Sequence, residues 1–261
     1  MNPTRFVLGG AVALLLPAFS ASAAVLTSYE FGTPGSETTA ETGAGYSPTT
    51  TAPNLTASPV SDAAGAVGIE ISSAATTPAG APFLRLDPQG NAATAAAAVT
   101  NNKYFQFVVT ANSGFFLNLT SLTFNAARGG AGTPRGYAVR SSADAFATDL
   151  ITASLDTVRP TYTAVNLPFT GPTYENLPAI TFRIYSFSPG AGQSVDYDDI
   201  VVNGSVVPVP EPSTLVLPAL AGLGLLLRRR RIGWIGVLWP TNPFRASVQL
   251  GPQGCTECLI V

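Results

Sequence analysis

Between Val25 and Val207 the chain has no long stretch in which apolar residues recur every three to four positions. It has instead many short runs of alternating apolar and polar residues, bounded by Gly, Pro, Asn and Asp. A period of two is what a half-buried strand requires, because successive side chains point to opposite faces of a sheet. The clearest runs are Leu26 to Phe31, Val67 to Ile71, Phe83 to Leu86, Tyr104 to Thr110, Leu117 to Asn125, Gly136 to Ser141, Leu150 to Leu155, Tyr162 to Leu167, Ile180 to Phe187 and Asp196 to Asn203. About ten strands at this spacing predict an all-β fold, a single jelly-roll-like β-sandwich over residues 24–207.

Two runs say more. In Leu117, Leu119, Leu122 and Phe124 the apolar parity shifts around Thr120-Ser121, which reads as a bulge or turn. From Thr181 to Phe187 strict alternation puts Phe182, Ile184 and Ser186 on one face and Arg183, Tyr185 and Phe187 on the other. Large residues on both faces predict a central strand. Two low-complexity stretches interrupt the pattern. Residues 33–66, rich in Thr, Ser, Gly and Pro, hold too little apolar surface to offset ordering entropy and read as a long, partly disordered loop. The Ala-rich stretch from Asn91 to Thr100 fits a short helix or a lead into a strand.

The composition excludes several functions. Charged residues are 11% of the chain, against roughly a quarter in an average soluble domain. There is no histidine, so the commonest general base and transition-metal ligand are missing. Ser141 and Ser142 beside Asp144 therefore lack a convincing base, and no catalytic residue is assigned. Both cysteines, Cys255 and Cys258, lie at the extreme C-terminus, so no disulfide staples the body. From Ala24 to Pro208 there are seven basic and thirteen acidic residues, a balance that argues against nucleic acid as a partner.

Both ends carry addresses. Arg5, an apolar run from Phe6 to Phe19 and Ser20-Ala21-Ser22-Ala23-Ala24 are the three parts of a secretory signal peptide over residues 1–23, cut after Ala23, with a cut after Ala24 as the alternative. At the other end, Val209, Pro210, Glu211, Pro212 and Ser213 form an extended proline stalk. A short apolar membrane helix is expected at 214–227, followed by Arg228, Arg229, Arg230 and Arg231 as a membrane stop. The positive-inside rule keeps those arginines in the cytoplasm and the body outside. From Leu215 to Leu227 a helix at about 1.5 Å per residue reaches roughly 20 Å, short of a roughly 30 Å hydrocarbon core, which suits a transient anchor.

The segment VPEPSTLVLPALAGLGLLLRRRR resembles a PEP-CTERM sorting signal: a Pro-Glu-Pro box, a short apolar helix and an arginine cluster, over residues 208–231. The resemblance implies cleavage near Pro210-Glu211-Pro212 by a membrane protease, exosortase. It also implies secretion machinery and the inner membrane as partners, a host that makes exopolysaccharide, and a destination at the cell surface or in the extracellular matrix. Stretches around Tyr137 to Ser142, Phe182 to Tyr185 and Val195 to Gly204 are similar to exported bodies of that family, which supports a sandwich and implies no activity. Residues 232–261 depart from the family pattern and read as an atypical tail: a second membrane-contacting stretch, an interfacial Trp anchor or, the favoured reading, non-native readthrough.

Two candidate sites remain in the body. Asp196 and Asp198 share one face of their strand, and with Glu30 on the first strand they form a candidate calcium set of hard oxygen ligands. The competing expectation is a set of solvated carboxylates, with Asp199 paired to a base such as Arg183. Aromatic rings are platforms for sugars. Tyr137, Tyr162 and Tyr197 are the leading candidates, with Tyr174 and Tyr185 also considered. These readings support a non-enzymatic exported envelope or extracellular-matrix protein, with exopolysaccharide as a partner. The alternatives are a calcium-dependent carbohydrate-binding module and, third, a glycan-acting enzyme.

Overall fold

The structure, a computed structural model, describes residues 24–31, 46–63, 68–72, 82–88 and 90–210. The expected signal peptide, the membrane helix at 214–227, the four arginines and the tail lie outside the described residues. Among the described residues no helix is long and apolar enough to cross a membrane. The chain divides into two compact units, Met1–Val209 and Pro210–Val261, and every strand among the described residues belongs to the first.

Each predicted run is a strand in the structure: β1 (Ala24–Tyr29), β5 (Gly68–Ser72), β6 (Phe83–Asp87), β7 (Tyr104–Ala111), β8 (Phe115–Arg128), β9 (Gly136–Ser141), β10 (Ile151–Ser154), β11 (Thr163–Pro168), β12 (Ala179–Phe187) and β13 (Val195–Pro208). They form two antiparallel sheets. Three short strands, β2 (Thr50–Thr51), β3 (Leu55–Ala57) and β4 (Ser61–Asp62), join them: the first sheet runs β11-β8-β13-β1-β2, with β6 also on β13 and β5 on β6, and the second runs β10-β9-β12-β7-β3, with β4 also on β7. From β6 to β13 the chain passes from sheet to sheet, and only the β9–β10 hairpin stays within one.

The core lies between the sheets. Tyr197 of β13 is fully buried against Phe105, Phe124 and Tyr137, with ring centroids 5.1, 6.0 and 6.5 Å away. Its hydroxyl shares a 2.6 Å hydrogen bond with Ser186 of β12, so the one polar atom it carries inward is satisfied. β12 is central, between β9 and β7. Its Phe182 and Ile184 enter this core, while Tyr185 and Phe187 pack on the opposite face beneath helix α1 (Ala95–Thr100). Thr94 caps that helix by accepting a hydrogen bond from the Ala97 amide. Of the two conformations its alanines allowed, the structure takes the helix, because Ala98 fills a buried position there.

The parity shift in β8 is a bulge. Ser121 pairs with Asn203 and Leu119 with Gly204, leaving Thr120 without an opposite residue. Leu117 and Leu119 before it, and Leu122 and Phe124 after it, all face the core as a result.

The Thr/Ser-rich stretch corrects an expectation. From Tyr46 to Ala63 it is ordered and contributes β2 (Thr50–Thr51), β3 (Leu55–Ala57) and β4 (Ser61–Asp62). Its few apolar side chains are spent at anchoring points, since Tyr46, Leu55 and Val60 are buried in the core. Its hydroxyls bond backbone groups that a short edge strand leaves open: Thr49 accepts from the Glu30 amide and Ser58 from the Val108 amide. A long, partly disordered loop is what low apolar content predicts, but from Tyr46 to Ala63 three well-placed anchors suffice. The remainder of the 33–66 stretch lies outside the described residues.

Candidate functional site

The sorting motif begins where the sandwich ends. The last residue of β13, Pro208, pairs with Phe115, and the Val209 amide donates to the Gly114 carbonyl at 2.8 Å. Pro210 is exposed; Glu211, Pro212 and Ser213 lie outside the described residues. At the other end Ala24, the residue expected to follow the signal-peptide cut, is the first residue of β1 and pairs with Gly204.

The candidate calcium set is not assembled. Asp196 is fully buried on the outer face of its sheet, and both carboxylate oxygens are taken by arginines: Oδ1 faces Arg85 Nε at 3.3 Å and Oδ2 faces Arg159 Nη1 at 2.6 Å. Ser194 Oγ donates a further hydrogen bond to Oδ1 at 3.1 Å. Burial pushes the Asp196 carboxyl up from its ordinary range, and Arg159 and Arg85 oppose that shift. Both guanidiniums also cover the Phe83 ring, at 5.3 Å for Arg85 and 4.8 Å for Arg159. Arg85 further pairs with Glu70 at 2.7 Å. Asp196 is thus the centre of a structural ion network, and a cation would have to displace two arginines to reach it.

Asp198 is a different case. It is half-buried, and its carboxyl is pushed up to about 7, first by burial and then by the charges of Asp199 and Glu30. Asp199 occupies a bulge with φ of 50°, which breaks the expected alternation. Its carboxylate accepts from Asn125 Nδ2 at 2.8 Å. Arg183, its expected partner, lies on the other sheet and covers Phe146 and Tyr104. Among the described residues no group of three or more His, Cys, Asp or Glu side chains is arranged to hold a metal ion.

Two of the three leading tyrosines are core residues and cannot serve as exposed platforms. Tyr197 is fully buried and Tyr137 is 2% exposed, its ring packed edge-on to Phe124 at 5.2 Å. Alternation placed them correctly on their strands but did not say which face was inward. Tyr162 is half-buried, and its hydroxyl is enclosed near Asp196 and Asp198 without a hydrogen-bond partner among the described residues. Tyr185 is buried against Tyr104. The serines considered for chemistry have structural partners: Ser142 Oγ accepts from the Thr181 amide, and Asp144 accepts from the Ala147 and Thr148 amides.

Tyr174 lines a cleft. The cleft has a volume of about 380 Å³ and opens between β10 and β11, each an edge strand of its own sheet. Leu150 and Ile151 form one wall and Asn166 to Thr170 the other. Tyr174 follows on a short 3-10 turn, Pro172–Tyr174. Its ring stacks on Phe169 at 4.3 Å and 19°, and Phe169 stacks in turn on buried Phe182 at 5.7 Å and 12°. Its hydroxyl lies 3.4 Å from Ser141 Oγ. None of these lining residues is Asp, Glu, Lys or Arg.

Comparison with known proteins identifies the C-terminal segment. Residues 208–231 match the PEP-CTERM protein-sorting motif, so the chain carries the signal that its Pro-Glu-Pro box and arginine cluster predicted. That signal implies processing by an exosortase and export through the membrane to the cell surface. No curated protein sequence matches the chain. Among solved structures, the xylan-binding domain of a Paenibacillus barcinonensis protein aligns with a TM-score of 0.38 and 12% identity, covering 71% of this chain and 97% of that one. The adhesin domain of Lys-gingipain from Porphyromonas gingivalis aligns with a TM-score of 0.35 and 16% identity, covering 69% and 98%. A family 22 carbohydrate-binding module from Clostridium thermocellum gives 0.35 and 8%, covering 58% and 87%.

Proposed function

We propose that this chain is a non-enzymatic protein of the cell envelope or extracellular matrix, delivered by its signal peptide and sorting motif, whose jelly-roll body associates with exopolysaccharide. The observation that carries the reading is the position of the sorting motif relative to the fold. β13 finishes at Pro208 and the motif spans 208–231, so a cut near Pro210-Glu211-Pro212 spares every strand. A signal-peptide cut after Ala23 likewise leaves β1 whole, because that strand starts at Ala24. The two processing steps would release a complete sandwich. The absence of histidine and the structural engagement of Ser141, Ser142 and Asp144 support a role without catalysis.

Mass spectrometry of the protein recovered from the cell surface tests this reading. An N-terminus at Ala24 and a C-terminus near Pro210 are expected. A protein that retains residues through Val261 would overturn sorting by cleavage.

The second reading is a calcium-dependent carbohydrate-binding module, and one observation favours it. Glu30 follows Tyr29, the partner of Ile200, next to the Asp198–Asp199 bulge, and the charges of Asp199 and Glu30 add to burial in raising the Asp198 carboxyl, a repulsion that a bound cation would offset. With Asp196 committed to its arginines, such a site would draw on Glu30 and Asp198 with backbone oxygens.

A further inference from the structure

The cleft at the open edge between the two sheets has no part in sorting and none in either carboxylate group. Its construction is directional. Phe182 is fully buried, Phe169 is 8% exposed and Tyr174 is half-buried at the cleft, so three nearly parallel rings step outward from the core. A stack of that kind presents a flat, weakly polar surface held in place from behind, with little rotamer freedom left to lose on binding. The Tyr174 hydroxyl beside buried Ser141 ties the outermost ring to β9.

The rest of the lining narrows the ligand. Leu150, Ile151, Leu167 and Pro168 supply apolar walls, while the Asn166 amide and Thr170 hydroxyl sit on exposed positions of the same segment. The cleft therefore offers one aromatic face, apolar sides and uncharged donors and acceptors at the rim. A cleft of this size falls within the usual range of ligand sites, roughly 300 to 1,000 Å³. An anionic ligand would find no cation among these residues. A purely apolar ligand would make no use of the rim amide and hydroxyl. A pyranose ring fits both requirements, since it has an apolar C–H face for the ring and equatorial hydroxyls for the rim.

We infer that this cleft binds a neutral glycosyl residue of a polysaccharide, stacked on Tyr174 and hydrogen-bonded by Asn166 and Thr170. The inference rests on the exopolysaccharide reading above and names the site that would perform it.

Affinity electrophoresis of the full-length chain tests it, with gels containing neutral polymers (β-1,3-glucan, mannan or β-1,4-xylan) or acidic ones (alginate or polygalacturonate). At least one neutral polymer is expected to retard the wild type, and Tyr174→Ala to weaken that retardation roughly tenfold. Tyr174→Phe should retain most of it, because the ring remains. Thr170→Arg, a change at an exposed position, should weaken binding without touching the fold, so an unstable Tyr174→Ala protein does not leave the question open. Retardation by a neutral polymer that survives both Tyr174→Ala and Thr170→Arg would overturn the cleft assignment while leaving polysaccharide association standing. Retardation by acidic polymers alone would also overturn it. No retardation by any polymer would overturn the cleft assignment and the association together.

Discussion

Two aspartates two positions apart on β13 behave in opposite ways, and the difference lies in their neighbours. Asp196 has lost its water, but two guanidiniums replace it. Removing either arginine would leave one of the buried Asp196 oxygens without its cation, and removing both would strand the carboxylate, the circumstance in which breaking an ion pair is most costly. Asp198 has no such compensation, and its carboxyl is pushed up to about 7. An unfolded aspartate titrates near 4, so between about pH 4 and pH 7 the folded state holds a proton that the unfolded state has released. The Asp198 contribution to stability therefore falls as pH rises through that window and levels off above it. Asp198→Asn is expected to raise the melting midpoint at pH 8 by several degrees, the penalty removed being up to about 4 kcal/mol. At pH 4 the two proteins should melt together. Thermal melts across that pH range check this. Adding millimolar calcium at pH 8 addresses the second functional reading in the same samples. A wild-type rise that Asp198→Asn abolishes supports a cation there, and no rise removes it.

At the scale of the element, β8 and β13 show how a long strand keeps one face in the core. Over fourteen residues β8 would drift out of phase with its apolar pattern, and the Thr120 bulge resets the phase. The partner strand meets the bulge with Gly204. A Cβ at that position would lie 2.2 Å from the Asn118 carbonyl oxygen and 3.0 Å from the Leu119 Cα. Backbone atoms of a paired strand cannot withdraw as a flexible side chain can, so Gly204→Ala should cost about 2 to 3 kcal/mol. Ser205→Ala, one residue further on, should change stability by less than about 0.5 kcal/mol. Denaturant melts of the two variants provide the comparison. The edge strands β10 and β11 follow another logic: each pairs on one side only, and the gap between them is the cleft.

For the whole molecule, the strand that leads to the sorting motif is also the centre of its sheet. β13 pairs with β8, β1 and β6. The sandwich cannot close until the last strand before the motif has been made, so the body folds only once the chain has reached the sorting signal. A protein spanning Ala24 to Pro210 should melt cooperatively at the midpoint of the full chain, since all strands are retained. A protein ending at Val201 gives up the register from Val202 to Pro208 against β8 and should lose its cooperative transition. Circular dichroism melts of the two fragments decide the point.

Much of this was written in the order of the residues. The period-two runs predicted β1 and β5 to β13 because strand alternation is a local property. The two-faced run at Phe182 to Phe187 predicted that β12 is central, and the parity slip at Thr120 predicted the bulge. The Pro-Glu-Pro box, apolar run and arginines identified the sorting signal because a protease and a membrane read them as linear sequence. What the sequence left open was the assignment of faces and partners across the fold. Asp196 meets Arg85 and Arg159, which are 111 and 37 positions away in the chain, and alternation says nothing about residues so distant. The same limit hid the fate of the tyrosines. Tyr137 and Tyr197 lie inside and Tyr174 lies at the cleft, because the way two sheets stack decides which alternate positions face each other and which face water. Local pattern determined the strands and the sorting signal at the C-terminal end; long-range packing alone decided which polar and aromatic side chains were left to meet a ligand.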